Sequence, residues 1–231
     1  MPQPLLFIPG LACTADLWSQ QIAALSARYE CHIADHGAGA TMAEIASGIL
    51  ARAPGQFALC GLSMGGYLAF EIMRQQPERV KKLALLDTQA TPEGEAQRAN
   101  RLARMEAARK GGMEALAELQ WSQLVHPMRY EDRALKEAVR KMALDTGLDV
   151  YLRHCAAIMA RADSRPGLAG IKVPTLVLTG DKDALTPPEK AREMADGIDG
   201  ARLVIVADCG HMSSMERPQT VNAALGAWLE G

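Results

Sequence analysis

The chain has 231 residues, 48% of them hydrophobic and 23% charged, with a formal net charge of −2. That length suits one domain with room for an inserted subdomain, and the composition is ordinary for a globular protein. The near-neutral charge excludes the strongly basic signature of a nucleic-acid or anionic-membrane binder, and no apolar run approaches a membrane span.

The opening MPQPLLFIPG has no basic region, and its short apolar run ends at Pro9-Gly10. It reads as a strand over residues 5–8 followed by a loop, rather than as a signal peptide. Residues 16–27 have helical spacing, with Leu17, Trp18, Ile22 and Leu25 on related faces. A second strand is predicted over 31–34, followed by the turn Asp35-His36-Gly37-Ala38-Gly39. Thr41 with Glu44 three residues on fits a capping box, and Pro54-Gly55 stops the helix it opens. A third strand covers 57–60, a tight turn 61–66, and a helix then runs to about residue 76. A fourth strand over 82–86 ends at Asp87.

From 89 to 165 no strand is convincing. Leu102 and Met105, then Leu116 and Leu119, recur at helical spacing, as do Leu135, Ala138, Val139 and Met142, and Tyr151, Leu152, Cys155, Ile158 and Met159. Strands then return at 174–179 and 202–206, with helices over 188–197 and 217–229. Short, nearly all-apolar strands alternating with helices describe an α/β protein whose parallel sheet is covered on both faces. The domain reading is a core of residues 1–88 and 166–231, with a helical cap of residues 89–165 inserted in it.

Five cysteines, Cys13, Cys31, Cys60, Cys155 and Cys209, match no redox or metal-binding spacing. They read as free thiols in a reducing compartment, so a cytoplasmic location is expected. The five histidines are too dispersed for a metal site.

The sharpest signal is Gly61-Leu62-Ser63-Met64-Gly65-Gly66, a G-x-S-x-G motif between a strand and a helix. Glycines two before and two after the serine remove side chains where strand and helix nearly collide. The sharp turn lifts Ser63 to the carboxyl edge of the sheet, facing the N–H groups of the following helix. A serine hydroxyl needs a base to take its proton. His211 is preferred, because it follows the strand over 202–206 and belongs at the same edge; His36, also after a strand, is the alternative. The base needs a carboxylate to fix its tautomer. Asp181 and Asp183 follow the strand over 174–179. Asp183 is favoured for its reach, Asp181 being suited to bonding the turn's own N–H groups. Asp87 is the next alternative, and Asp208 reads as a loop residue. The N–H groups of Leu11 and Met64 are the expected oxyanion donors. Both side chains would then line the pocket, arguing for an uncharged group near the scissile carbonyl.

Together FIPG, DHGAG, GLSMGG, LTGDKD and CGHMSSMERP resemble the alpha/beta-hydrolase superfamily, and Ser63, Asp183 and His211 follow its order of nucleophile, acid and base. The likeness spans nearly the whole chain. It implies an alpha/beta-hydrolase fold with a mainly parallel sheet of about six strands flanked by helices, trimmed at its start, and an inserted helical cap. DHGAG departs from the commoner form with an arginine and a later serine, so it says little about substrate. A serine rather than an aspartate nucleophile argues against the epoxide-hydrolase and dehalogenase branches.

The expected activity is cleavage of a carboxylic ester through an acyl-enzyme intermediate. The alternatives are thioesterase, lactonase, amidase or carbon–carbon bond hydrolase on the same triad, and, further off, a non-enzymatic ligand-binding protein. Partners would be a small-molecule ester or thioester and water, with no cofactor, metal, nucleic acid or membrane. Trp121, Tyr151 and Met212 are candidate pocket residues; the cap methionines read first as packing between the cap helices and, as the alternative, as an adaptable apolar surface for a small or medium ester with an apolar acyl part. The cap arginines could instead read a carboxylate or phosphate, or simply form a salt-bridged surface. The cap's apolar face could pack internally or against a second subunit, so oligomeric state is open.

Overall fold

A computed structural model describes residues 3–231. Six strands, β1 (Gln3–Ile8), β2 (Tyr29–Ile33), β3 (Phe57–Leu62), β4 (Val80–Leu86), β5 (Thr175–Gly180) and β6 (Arg202–Val206), form one sheet in the order β2-β1-β3-β4-β5-β6. Every neighbouring pair is parallel. The chain therefore works outward from β1 on one side and returns past it to β3 on the other. The order in which strands are added reverses there, which puts a crevice at the carboxyl ends of β1 and β3.

The helices are α1 (Ser19–Leu25), α2 (Met42–Arg52), α3 (Met64–Gln75), α4 (Glu95–Leu124), α5 (Arg133–Thr146), α6 (Leu148–Met159), α7 (Pro188–Gly197), α8 (Ser213–Glu216) and α9 (Pro218–Glu230). Strand residues alternate between the sheet's two faces. Leu6, Ile8, Leu59 and Leu83 pack with Ile45 of α2, Leu68 of α3 and Met194 of α7. Leu5, Phe7, Cys60 and Leu176 pack on the other side with Leu25 of α1 and Val221 and Leu225 of α9. β1, β3 and β5 are thus covered on both faces, which is why their sequences read as unbroken apolar runs.

The predicted helix over 16–27 is instead a 3-10 turn, Ala15–Trp18, followed by α1. Trp18 is fully buried, its ring centroid 4.8 Å from that of Phe7. β2 begins two residues before its predicted start, at Tyr29. Thr41 Oγ1 accepts from the Glu44 N–H, but Glu44 returns a bond to the Ala40 N–H rather than to Thr41, so the capping box is displaced by one residue.

Between β4 and β5 the chain is helical, comprising α4, α5 and α6. The long α4 breaks at Gly112, whose φ of 71° and ψ of −174° lie outside helical values. The break folds α4 into two arms, and Arg104 on the first arm bonds Gln123 Oε1 on the second. No helix of the described residues is long and apolar enough to cross a membrane.

Candidate active site

β3 delivers Ser63 to the crevice. Ser63 stands between β3 and α3 with φ 56° and ψ −115°, a conformation that non-glycine residues rarely adopt. The turn is held by close backbone approach. A Cβ at Gly61 would overlap the Gly65 carbonyl, and one at Gly65 would overlap the Ile8 carbonyl. The Ser63 N–H donates to Leu86 O at 2.9 Å, and the Thr88 hydroxyl donates to Ser63 O at 2.8 Å, so β4 braces the elbow from its other side.

Three sheet ends then converge. Ser63 Oγ lies 2.9 Å from His211 Nε2, and His211 Nδ1 lies 2.8 Å from Asp183 Oδ2. Asp183 is 3% exposed, yet both its oxygens are fully engaged. Oδ1 accepts the N–H groups of Leu185 and Thr186 at 2.8 and 2.9 Å, and Oδ2 also accepts the Thr186 hydroxyl at 2.7 Å. Burial alone would raise the Asp183 pKa; the facing His211 and the hydrogen bonds outweigh it and hold the carboxyl below its ordinary value. Burial likewise disfavours the His211 cation, and the charge and hydrogen bond of Asp183 more than compensate, so the imidazole is raised above its ordinary value. Such a chain can take a proton from Ser63 and stabilise the resulting imidazolium.

The other candidates lie elsewhere. His36 is buried, 3.4 Å from Gly10 O and stacked on His154, without touching Ser63; burial lowers its pKa. Asp181 Oδ1 accepts the Cys209 N–H at 3.0 Å, tying two loops together. Asp208 is exposed and pairs with Arg217 at 3.6 Å. Asp87 is buried and accepts from the Gly180 N–H and from Ser213.

The Gly10 loop lies against the elbow: a Cβ at Gly10 would stand 3.4 Å from Ser63 Cβ. Met64 opens α3, so its N–H has no partner within the helix. Among the described residues, neither it nor the Leu11 N–H donates to a protein acceptor. The N–H groups of Met64, next in the chain after Ser63, and of Leu11, a residue of the cavity wall, are therefore unpaired among the described residues.

Two supporting residues escaped the sequence reading. Thr186 is one, three residues after Asp183, a spacing at which hydroxyls and amides commonly bond an Asp side chain. Glu216 is the other. It is 2% exposed and accepts the N–H groups of Gly210, Met212 and His126, at 2.9, 3.2 and 2.8 Å. The N–H groups of His211 and Met212 both donate to Leu124 O, at 3.0 and 3.1 Å, so the end of α4 is stitched to the loop that carries His211.

A cavity of about 210 Å³ opens over Ser63 and His211. Leu11, Leu185, Ile158 and Met212 form an apolar side near Ser63. Met64 does not line the cavity; its side chain is wholly buried in the core. Trp121 and Tyr151 do not line it either. Trp121 packs into the core with Leu124 and Val139 and donates from Nε1 to Tyr130 O at 3.0 Å. Tyr151 packs with Met105, Met113 and Leu116, inside the helical insertion. The insertion's methionines do not line the cavity; Met105, Met113 and Met142 are buried in packing. The insertion's part of the wall is mixed, with Gln97, Asn100, Arg101, Arg104, Gln120 and Gln123 on it beside the apolar Leu124, Val139 and Ile158.

Cys13, the thiol in the cavity wall, is pushed up to about 12 by burial, which leaves it a poor nucleophile at neutral pH. Among the described residues there is no group of three or more His, Cys, Asp or Glu side chains able to hold a metal ion.

Residues 5–224 match the sequence profile of the alpha/beta hydrolase family. The chain belongs to this family. Among its curated relatives is 3-oxoadipate enol-lactonase 2 of Acinetobacter baylyi, 29% identical, the alignment covering 98% of this chain and 88% of that protein. Another is the pimeloyl-[acyl-carrier protein] methyl ester esterase of Nitrosomonas europaea, 28% identical over 93% of this chain and 91% of that protein. A solved esterase of Thermogutta terrifontis with malate bound superposes with a TM-score of 0.89 at 29% identity, covering 100% of this chain and 90% of that one. The breadth of activities among these relatives makes the protein a hydrolase of this family without fixing the bond it cleaves.

Proposed function

We propose that the protein hydrolyses carboxylic esters, with Ser63 as nucleophile, His211 as general base and acid, and Asp183 as the group that orients and charge-balances His211. The observation that carries this reading is the continuous hydrogen-bonded chain from Ser63 Oγ through His211 to Asp183, set beside two free N–H groups at Leu11 and Met64. His211 Nε2 takes the hydroxyl proton as Ser63 Oγ bonds to the carbonyl carbon. The carbonyl oxygen becomes an anion facing the two amides. Collapse of the tetrahedral intermediate breaks the bond to the alcohol, which leaves with the proton from His211. Water then repeats the sequence on the acyl-enzyme, returning the acid and free Ser63.

The cavity volume favours a small ester. A cyclic ester is the second reading, supported by that size and by the relationship to an enol-lactonase. The test is labelling with a fluorophosphonate, followed by assay against a panel of small esters and lactones. Ser63→Ala should abolish both labelling and turnover. Failure of the folded wild-type protein to label, or comparable turnover by Ser63→Ala, would refute the mechanism. The ratio of lactone to open-chain ester turnover decides between the two readings.

A further inference from the structure

The polar wall of the cavity holds more hydrogen-bonding capacity than the protein itself uses. Arg101 is committed: it makes a two-pronged pair with Glu93, whose carboxylate is 2% exposed and is also approached by Arg161. Arg104, one helical turn further along the same wall, forms no ion pair among the described residues, and its one side-chain partner is the neutral Gln123. Arg101 and Arg161 thus share the Glu93 carboxylate, while Arg104 lines the cavity without a counter-charge among the described residues. Burial draws the Arg104 guanidinium below its ordinary value, as expected of a desolvated cation lacking a partner. Gln120, which is buried, also lines the cavity, and its side chain makes no hydrogen bond within the described protein; Asn100 lines the cavity too but is exposed. Gln89 also lines the cavity, is 2% exposed, and its Oε1 has no partner at all. A buried acceptor without a partner is completed by a hydrogen-bond donor, so Gln89 Oε1 suits a hydroxyl or a water in the cavity rather than a carboxylate.

We propose that Arg104, with the unbonded amide of Gln120, forms a carboxylate-recognition subsite, so that the preferred substrates are small esters bearing a second, free carboxylate. This assignment rests on the ester-hydrolase reading for its catalytic meaning but not for its binding. A planar guanidinium matches a carboxylate through two parallel N–H bonds, and the Gln120 amide N–H can donate to a remaining lone pair. The apolar side of the cavity, near Ser63, is left to the short chain between the carboxylate and the scissile ester. Glu93 does not oppose the ligand's charge, because Arg101 and Arg161 neutralise it.

The test separates binding from chemistry by using the Ser63→Ala protein. Calorimetry is run with the monomethyl esters of succinate, glutarate and adipate, and with their neutral dimethyl esters. At least one monoester should bind, and Arg104→Gln in the same background should weaken it by about tenfold or more, the usual consequence of losing a charged hydrogen bond. Arg104→Lys should restore part of the loss. Dimethyl ester binding should change by no more than about twofold, which also reports that the variant is folded. Absence of binding by all three monoesters, or equal monoester affinity with and without Arg104, overturns the subsite. In the wild-type enzyme kcat/KM should favour a monoester over its diester, and Arg104→Gln should remove that preference through KM. Ester turnover with no preference for the charged substrate would sink this subsite and leave the hydrolase reading standing. Arg104-dependent binding without any turnover would do the reverse.

Discussion

Asp87 Oδ2 accepts both the N–H and the hydroxyl of Ser213, two residues beyond His211, while its other oxygen accepts the Gly180 N–H, three residues before Asp183. Asp87 thus joins the loops that carry the acid and the base without touching either residue's proton path. Its pKa is raised well above the ordinary carboxylate range, by burial first and by the charge of Asp183 second. An amide is a tolerable replacement for a carboxyl in such surroundings. We predict that Asp87→Asn lowers kcat by no more than about tenfold, whereas Asp183→Asn, which deprives His211 of its orienting charge, lowers it by about three to four orders of magnitude. Steady-state kinetics on the two variants checks this. The reverse order would reassign the acid.

The same electrostatics set the pH dependence. The proposed mechanism requires His211 neutral, and its folded pKa is raised above 6.5, burial being outweighed by Asp183. Activity should therefore fall as pH drops through a midpoint above 6.5, read from the acid limb of kcat/KM for an uncharged substrate. Asp183→Asn should move that midpoint downward in whatever activity survives. For stability the signs differ between the partners. The raised His211 contributes stability that is fully present below its unfolded pKa and lost as pH rises through its folded pKa. The depressed Asp183 contributes stability present above its unfolded pKa and lost as pH falls through its folded pKa. The pair should be at its most stabilising between those limits, a window that Asp183→Asn would erase in melting curves taken across pH.

Ser63 is held in a strained backbone conformation, φ 56° and ψ −115°, that glycine adopts without penalty. Ser63→Gly should abolish turnover yet stabilise the fold by about 1 kcal/mol or more, since strain of this kind is of order 1–3 kcal/mol. For a chain of this length, each kcal/mol corresponds to a rise of about 2–4 °C in Tm. Calorimetry of the variant beside Ser63→Ala measures it; a lower Tm for the glycine variant than for the alanine variant would show that the elbow is unstrained.

Glu216 predicts the opposite combination, stability lost from a position that touches no reacting atom. Its carboxylate satisfies three buried N–H groups. Glu216→Ala leaves them unpaired and should cost about 3 kcal/mol or more, whereas Glu216→Gln keeps an acceptor and should lose less. Urea unfolding gives the stability. A drop in kcat for Glu216→Ala that is larger than for Glu216→Gln would show that the loop also positions His211.

The sheet and the ends of its strands were legible in the sequence because a doubly covered parallel strand is apolar throughout and stops at a polar or glycine-rich turn. Ser63, Asp183 and His211 could be gathered from three distant segments for that reason alone: parallel strands present all their carboxyl ends at one edge. The helical insertion was not legible in the same way. Met105 and Leu116 are buried, but Leu102 and Leu119, read as belonging to the same stripe, are 47% and 50% exposed. Gly112 interrupts the helix between the two pairs, so no continuous stripe runs through both. Trp121 and Tyr151 were expected in the cavity because large aromatics often line one, yet here they fill the contact between the insertion's own helices and the core. Glu216 was invisible because a glutamate at the start of a helix ordinarily reads as a solvated favourable charge. Only its burial against backbone N–H groups distinguishes it.

The bonds from His211 and Met212 to the carbonyl of Leu124 have an architectural consequence. A Cβ at Gly210 would stand 2.5 Å from the His126 backbone nitrogen, so the contact is backbone against backbone and leaves no room for a side chain to mediate it. The insertion is therefore a structural member of the base loop rather than an accessory resting on a finished core. Shortening it past residue 124, or exchanging it for the corresponding segment of a relative, removes an anchor of His211 along with the walls of the cavity. Grafting a new specificity onto this protein has to keep residues 124–126 and rebuild only what lies before them.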